Sequence, residues 1–181
     1  MKNIEIYSYK KTDTQNSDKE ILQSVRQYLK KMQETKLPTT IPNYELRITN
    51  CVSRDSCGKP TIIGIDGIHV SVTHDKDLCL VAVAPFPVGI DMERSCRKVK
   101  NPLSLAKRYF CEDEVTALGE NPTDEEFTDM WVKKEALSKL IGLGVPCMNQ
   151  KSVFSEGLTF EKITDYDGYI SYCVYYTQQC D

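Results

Sequence analysis

Histidine is scarce in this chain: two in 181 residues, alongside a single tryptophan. Eight cysteines are present, but no two form a Cys-x-x-Cys pair. A structural zinc site needs clustered thiolate and imidazole ligands, so that class is poorly supported. There is no basic surplus either. Lysine and arginine number 23 against 26 aspartates and glutamates, for a net charge of -3. That balance argues against a nucleic-acid-binding protein. Long hydrophobic runs are also missing. None approaches the roughly 20 residues that cross a bilayer. The opening Met1-Lys2-Asn3-Ile4-Glu5 has no apolar signal core. The expectation is a cytoplasmic protein with reduced cysteines. Those on apolar patterns, such as Cys79 and Cys173, read as small hydrophobes.

The apolar share, 40%, is ordinary for a globular chain, and the length suits one large domain or two small ones. Residues 3–9 alternate, with Ile4 and Ile6 on one face, and predict a strand. Asn16-Ser17-Asp18 offers a cap, and Ile21, Leu22, Val25, Leu29 and Met32 recur at helical spacing over 18–33. Tyr44 to Ile48 suggests a short strand. Residues 51–67 read as loop and hold Gly58-Lys59-Pro60. Ile68 to Thr73 is a strand that delivers His74 at its end. Leu78 to Ala84 is continuously apolar, as in a central strand.

Pro85-Phe86-Pro87 leads into an alternating stretch from Val88 to Glu93. A helix is expected over 103–118 and another over 124–141, broken by Gly142 to Pro146. Residues 153–160 and 169–176 read as antiparallel strands turning at Asp167-Gly168. The layout before Pro87 resembles the layout after it, without a residue-level repeat. The expected fold class is therefore α+β: two similar halves, 1–87 and 88–181, packed as one unit.

In a strand, Val88, Ile90 and Met92 face one way while Gly89, Asp91 and Glu93 face the other. Two carboxylates thus sit side by side, with Cα atoms roughly 7 Å apart by strand rise. Gly89 beside them leaves room for a close approach. Alone, this favours an edge strand with a wet face. The helix over 124–141 adds to it. Phe127, Met130, Trp131, Leu137 and Ile141 form one apolar arc, and Lys134 falls inside that arc, which is unusual for a lysine. Glu135 and Lys139 lie at its edge, four apart. They are either a surface i,i+4 pair or the lip of a cleft, the carboxylate for a metal and the lysine for a phosphate. Oxygen ligands with open positions suit Mg²⁺ and a pyrophosphate. Thr73 and His74, at a strand end, are placed to donate to a phosphate, although a lone histidine is as often structural.

Five elements occur in order: Gly58-Lys59-Pro60, Val72-Thr73-His74, Gly89-x-Asp91-x-Glu93, Ala106-Lys107-Arg108-Tyr109-Phe110 with Glu114, and Trp131-x-x-Lys134-Glu135-x-x-x-Lys139. Over about residues 58–146 this pattern resembles the 4′-phosphopantetheinyl transferases, in particular the pseudo-dimeric type that activates surfactin-like synthetases. The resemblance implies transfer of phosphopantetheine from coenzyme A to a serine of an apo acyl or peptidyl carrier protein. Adenosine 3′,5′-bisphosphate is released. By the same resemblance Asp91, Glu93 and Glu135 are the Mg²⁺ ligands, with Mn²⁺ an alternative ion. Lys59, Thr73 and His74 contact the nucleotide and its 3′-phosphate, on the first half. Lys139 meets the pyrophosphate, and Glu114, or Glu135 through a water, is the base.

Two features depart from the pattern. The family's Ser-His-Ser is Thr73-His74-Asp75 here, which adds a negative charge near a phosphate site. The arginine-bearing helical motif expected before Gly58 has no clear counterpart. Two alternatives stand beside this reading. One is a catalytically weak or inactive coenzyme A-binding protein of the same fold. The other is the small trimeric holo-acyl-carrier-protein synthase type, in which the Asp-x-Glu strand lies near the chain start. A mid-chain position favours a monomer. Arg94, Arg97, Lys98, Lys100, Lys107 and Arg108 are either the docking surface for an acidic carrier or a solvated basic face.

Overall fold

A computed structural model describes residues 4–11, 17–34 and 52–177. The strand expected over 44–48, the Asn16 cap position, Cys51 and Cys180 lie outside the described residues. The chain divides into two compact units, Met1–Pro87 and Val88–Asp181.

The first unit is built on strands β1 (Glu5–Lys10), β4 (His69–His74) and β5 (Leu78–Ala84), all antiparallel, in the order β1-β5-β4. The apolar run of β5 takes the centre, where both neighbours shield its backbone. Helix α1 (Ser17–Glu34) lays Ile21, Val25, Tyr28 and Leu29 against Val70, Cys79, Val81 and Val83. These four recur at helical spacing, so one stripe is covered while Lys30 and Lys31 stay in water. Residues expected to be loop contain a hairpin of two short strands, β2 (Val52–Arg54) and β3 (Pro60–Ile62). With three residues per strand it has too little alternation to announce itself in sequence.

The second unit repeats the topology. Strands β6 (Val88–Arg94), β7 (Leu158–Lys162) and β8 (Tyr169–Tyr176) form an antiparallel sheet in the order β6-β8-β7. In each unit the first strand of the sheet pairs with the last, and the last with the middle one. The architecture is α+β. Val153, expected to open β7, precedes it by five residues and belongs to the connection.

Helix α4 (Asp124–Ile141) packs on this sheet and coincides with the expected range. Its start is fixed by a capping box: Thr123 N donates to Glu126 Oε2 at 2.8 Å, and Glu126 N donates to Thr123 Oγ1 at 3.2 Å. Gly142, at φ 75°, ends it in the left-handed region.

The single helix expected over 103–118 is two, α2 (Pro102–Tyr109) and α3 (Glu112–Leu118). Phe110 and Cys111 between them are extended. Phe110 leaves helical geometry to stack on Phe127 at 5.5 Å, and Phe127 stacks in turn on Trp131 at 5.7 Å. Glu112, Asp113 and Glu114 then supply the negative charge that favours a new helix start.

Candidate metal and phosphate site

Strand β6 lies at an edge of its sheet, yet its face is not wet. A Cβ placed on Gly89 would meet Ala136 O at 2.0 Å and Leu140 N at 2.7 Å. Only glycine allows helix α4 to approach this closely. The contact brings the face holding Asp91 and Glu93 under the face holding Glu135 and Lys139. Lys139 Nζ sits 2.7 Å from Asp91 Oδ1, so the lysine pairs with the strand carboxylate. Asp91 is almost fully buried, while Glu93, Glu135 and Lys139 are half-buried. The Lys139 charge also bears on Glu135, four positions earlier on the helix.

Burial pushes the Glu135 carboxyl up to about 7, and the charges of Asp91 and Glu93 push the same way. Lys139 and Arg97 oppose them. The Asp91 and Glu93 charges thus repel that of Glu135, although these three are not a described group whose ligand atoms all lie within 4.8 Å of one another. A hard divalent cation is the ligand whose charge relieves that repulsion, and an all-oxygen donor set suits Mg²⁺ or Mn²⁺. By donor type, though not by a closed ligand geometry, the residues suit such an ion.

Arg97 was not singled out by sequence as part of this site. It donates from Nη1 to Glu93 Oε1 at 2.6 Å, and its Cζ lies 5.6 Å from the centre of the Trp131 ring. Other members of the basic run are also engaged. Arg94 lies over the Tyr169 ring at 5.7 Å, and Lys98 pairs with Asp124 at 3.0 Å.

Glu114 lies elsewhere in the unit. It is fully buried, and both its oxygens are occupied. Oε2 receives the Cys111 N–H at 2.6 Å and Oε1 the Val153 N–H at 2.6 Å. Lys134 Nζ reaches both, at 2.6 Å and 2.8 Å. Lys134 is the lysine that stood inside the apolar arc. It is buried with this partner and donates also to Lys151 O at 2.6 Å. Cys111, Asp113 and Glu114 do place ligand-type atoms within 4.8 Å of one another. Both carboxylates of that cluster are already engaged, Glu114 by the Lys134 ammonium and Asp113 by Ser152 Oγ at 2.6 Å.

The remaining predicted residues belong to the first unit. Thr73 is buried on β4, and His74 is exposed at its end, with Nδ1 3.3 Å from Lys11 Nζ. Lys59 follows a turn built by Asp55, whose Oδ1 accepts the N–H groups of Cys57 and Lys59 at 2.9 Å. Arg54 pins the same turn through Gly58 O at 3.0 Å and Asp18 Oδ1 at 2.6 Å. Burial holds the Lys59 ammonium below its ordinary pKa. Its charge bears on His69, which starts β4, whereas His74 ends that strand.

The model of the 4′-phosphopantetheinyl transferase superfamily matches residues 87–176. The chain is 36% identical over 92 residues to the 4′-phosphopantetheinyl transferase psf-1 of Bacillus pumilus, which covers 49% of this chain and 38% of that protein. It is 32% identical over 92 residues to a Bacillus subtilis 4′-phosphopantetheinyl transferase, covering 49% and 39%. Against the gsp transferase of Aneurinibacillus migulanus the identity is 30% over 95 residues, covering 51% and 38%. The matches thus span about two fifths of each relative's length. The superfamily match falls on the unit that carries β6 and α4, with Asp91, Glu93, Glu135 and Lys139. Residues 87–176 form a domain of the 4′-phosphopantetheinyl transferase superfamily.

Proposed function

We propose that this protein transfers 4′-phosphopantetheine from coenzyme A to a serine of an apo carrier protein in a divalent-cation-dependent reaction. The observation that carries the reading is the convergence of Asp91, Glu93 and Glu135 beside Lys139, inside the stretch that matches the family. The serine oxygen attacks the β-phosphorus of coenzyme A. The bond from that phosphorus to the bridging oxygen breaks, and adenosine 3′,5′-bisphosphate leaves with the electron pair. Charge builds on phosphoryl oxygens, so positioning and electrostatics supply most of the catalysis.

Asp91, Glu93 and Glu135 would hold the ion, which supplies positive charge to the pyrophosphate. Lys139, already at the lip of the cluster, turns from Asp91 to a phosphate oxygen. Glu135, directly or through a water, is assigned as the proton acceptor. Glu114 is left with no free oxygen by its four contacts, so its part is to hold Lys134 and the surrounding backbone. In the first unit, Lys59, Thr73 and His74 are assigned to the nucleotide and its 3′-phosphate. The carrier is drawn by basic surface near the site, with Lys100, Lys107 and Arg108 the candidates. The protein acts in the cytoplasm.

The test is incubation with coenzyme A, Mg²⁺ and a panel of apo carriers, read by mass spectrometry. A mass gain of one phosphopantetheine on a carrier is expected, and Asp91→Ala or Glu135→Ala should reduce its rate by at least about 10²-fold, as for loss of a charge-stabilising group. Wild-type rates in either variant would refute the metal assignment. Coenzyme A binding with no mass gain on any carrier would mark a binding protein instead.

A further inference from the structure

Arg97 touches the acidic cluster without belonging to its ligand set. It lies in the turn that follows β6. Its own N–H donates to Arg94 O at 3.0 Å, and Ser95 N donates to Gly168 O at 2.9 Å. The backbone thus folds back toward the strand it has left. The guanidinium spans the two elements that build the site, bonding Glu93 on β6 at 2.6 Å and lying against Trp131 on α4. A planar fork suits this double contact, one edge to a carboxylate and one face to an indole.

Each strand carboxylate therefore has a cation of its own, Lys139 on Asp91 and Arg97 on Glu93. Lys139 sits on an unbranched stem and can swing away. Arg97 is tethered by its turn and by Trp131.

We propose that Arg97 is an internal counter-ion that competes with a divalent cation for Glu93 and so sets the affinity of the site. This rests on the cation reading above. An incoming ion meets a Glu93 carboxylate already bonded through Oε1 to the guanidinium, and it must also settle beside a fixed positive charge. Both effects weaken binding. Together they make retention depend on the further negative charge of a bound pyrophosphate. Arg97 is thus a positioning residue whose removal tightens binding, an effect that a purely structural contact would not produce.

The experiment is titration of the full chain with Mn²⁺ alone, without coenzyme A, read by the loss of the free-ion electron paramagnetic resonance signal. Arg97→Gln and Arg97→Met remove the charge in two ways, the second keeping the aliphatic contact with Trp131. At least one of them should bind Mn²⁺ about tenfold more tightly than the wild type, the scale of one charge a few ångströms from the ion at a half-exposed site. Arg97→Lys, which keeps the charge, should stay within about threefold of the wild type. Asp91→Asn should abolish binding and so locate it. If Asp91→Asn abolishes binding but neither neutral variant binds more tightly than the wild type, the counter-ion role is overturned and the cation site stands. If no protein binds Mn²⁺, or Asp91→Asn binds normally, the cation reading fails and takes this inference with it.

Discussion

Lys134 and Glu114 show how a residue is legible without its partner. Lys134 stood out in the sequence because it interrupts an apolar helical arc. The sequence held no hint of what it meets. Glu114 lies twenty positions earlier, beyond the break between α2 and α3, and the contact exists only once α3 and α4 pack. The family resemblance offers Glu114 instead as a candidate base, since a helical carboxylate looks much the same in sequence whether it faces solvent or core. The pair is almost wholly removed from water, at 1% and 0% side-chain exposure, and every strong hydrogen-bonding position on Glu114 is filled. Burying two charges is costly, and their attraction about offsets that cost when geometry is good. Removing one partner leaves the other charge stranded. Lys134→Ala should therefore destabilise the protein by about 3–5 kcal/mol. Urea unfolding would read this, and the double variant Lys134→Met with Glu114→Gln should recover part of the loss. A cost below about 1 kcal/mol for Lys134→Ala would mean that water reaches the pair.

At the scale of elements, helix α4 and strand β6 decide the site, and both were legible. The capping box from Thr123 to Glu126 and the left-handed Gly142 bracket α4 with local chemistry. Alternation over Val88 to Glu93 marked β6. Helices α2 and α3 were not separable in sequence, because the stacking of Phe110 on Phe127 that pulls them apart is tertiary. The approach of β6 to α4 was only half visible. Gly89 suggested a close contact of some kind, and the structure shows that the contact is the backbone of Ala136 and Leu140. Neither is a flexible side-chain end, so an added methyl has nowhere to go. Gly89→Ala must push the strand from the helix and move Asp91 away from Glu135 and Lys139. The expected cost is about 1–3 kcal/mol or more, the range for overpacking a tight core. Thermal melting should show that loss, and cation affinity should fall with it although no ligand has changed. A variant of wild-type stability and affinity would show that β6 and α4 can separate freely.

For the molecule as a whole, the chain contains the same strand arrangement twice, β1-β5-β4 in one unit and β6-β8-β7 in the other. The element order on which this rests was readable: strand, helix and strands in the first half, then strand, helices and strands in the second. The pairing was not, since strand order depends on contacts between residues far apart in sequence and leaves no periodic trace. The hairpin β2–β3, inserted only in the first unit, also escaped. Duplication bears on assembly. A chain with one such unit must recruit a second chain wherever two are needed. A chain with two already carries both. We therefore predict a monomer in solution across the micromolar range, checked by multi-angle light scattering. The expected mass is that of one chain, independent of concentration. The alternative is driven by association, so a trimer would appear as a mass that climbs with concentration toward three chains. In that case transfer activity per chain would also fall on dilution, whereas a monomer's specific activity stays constant.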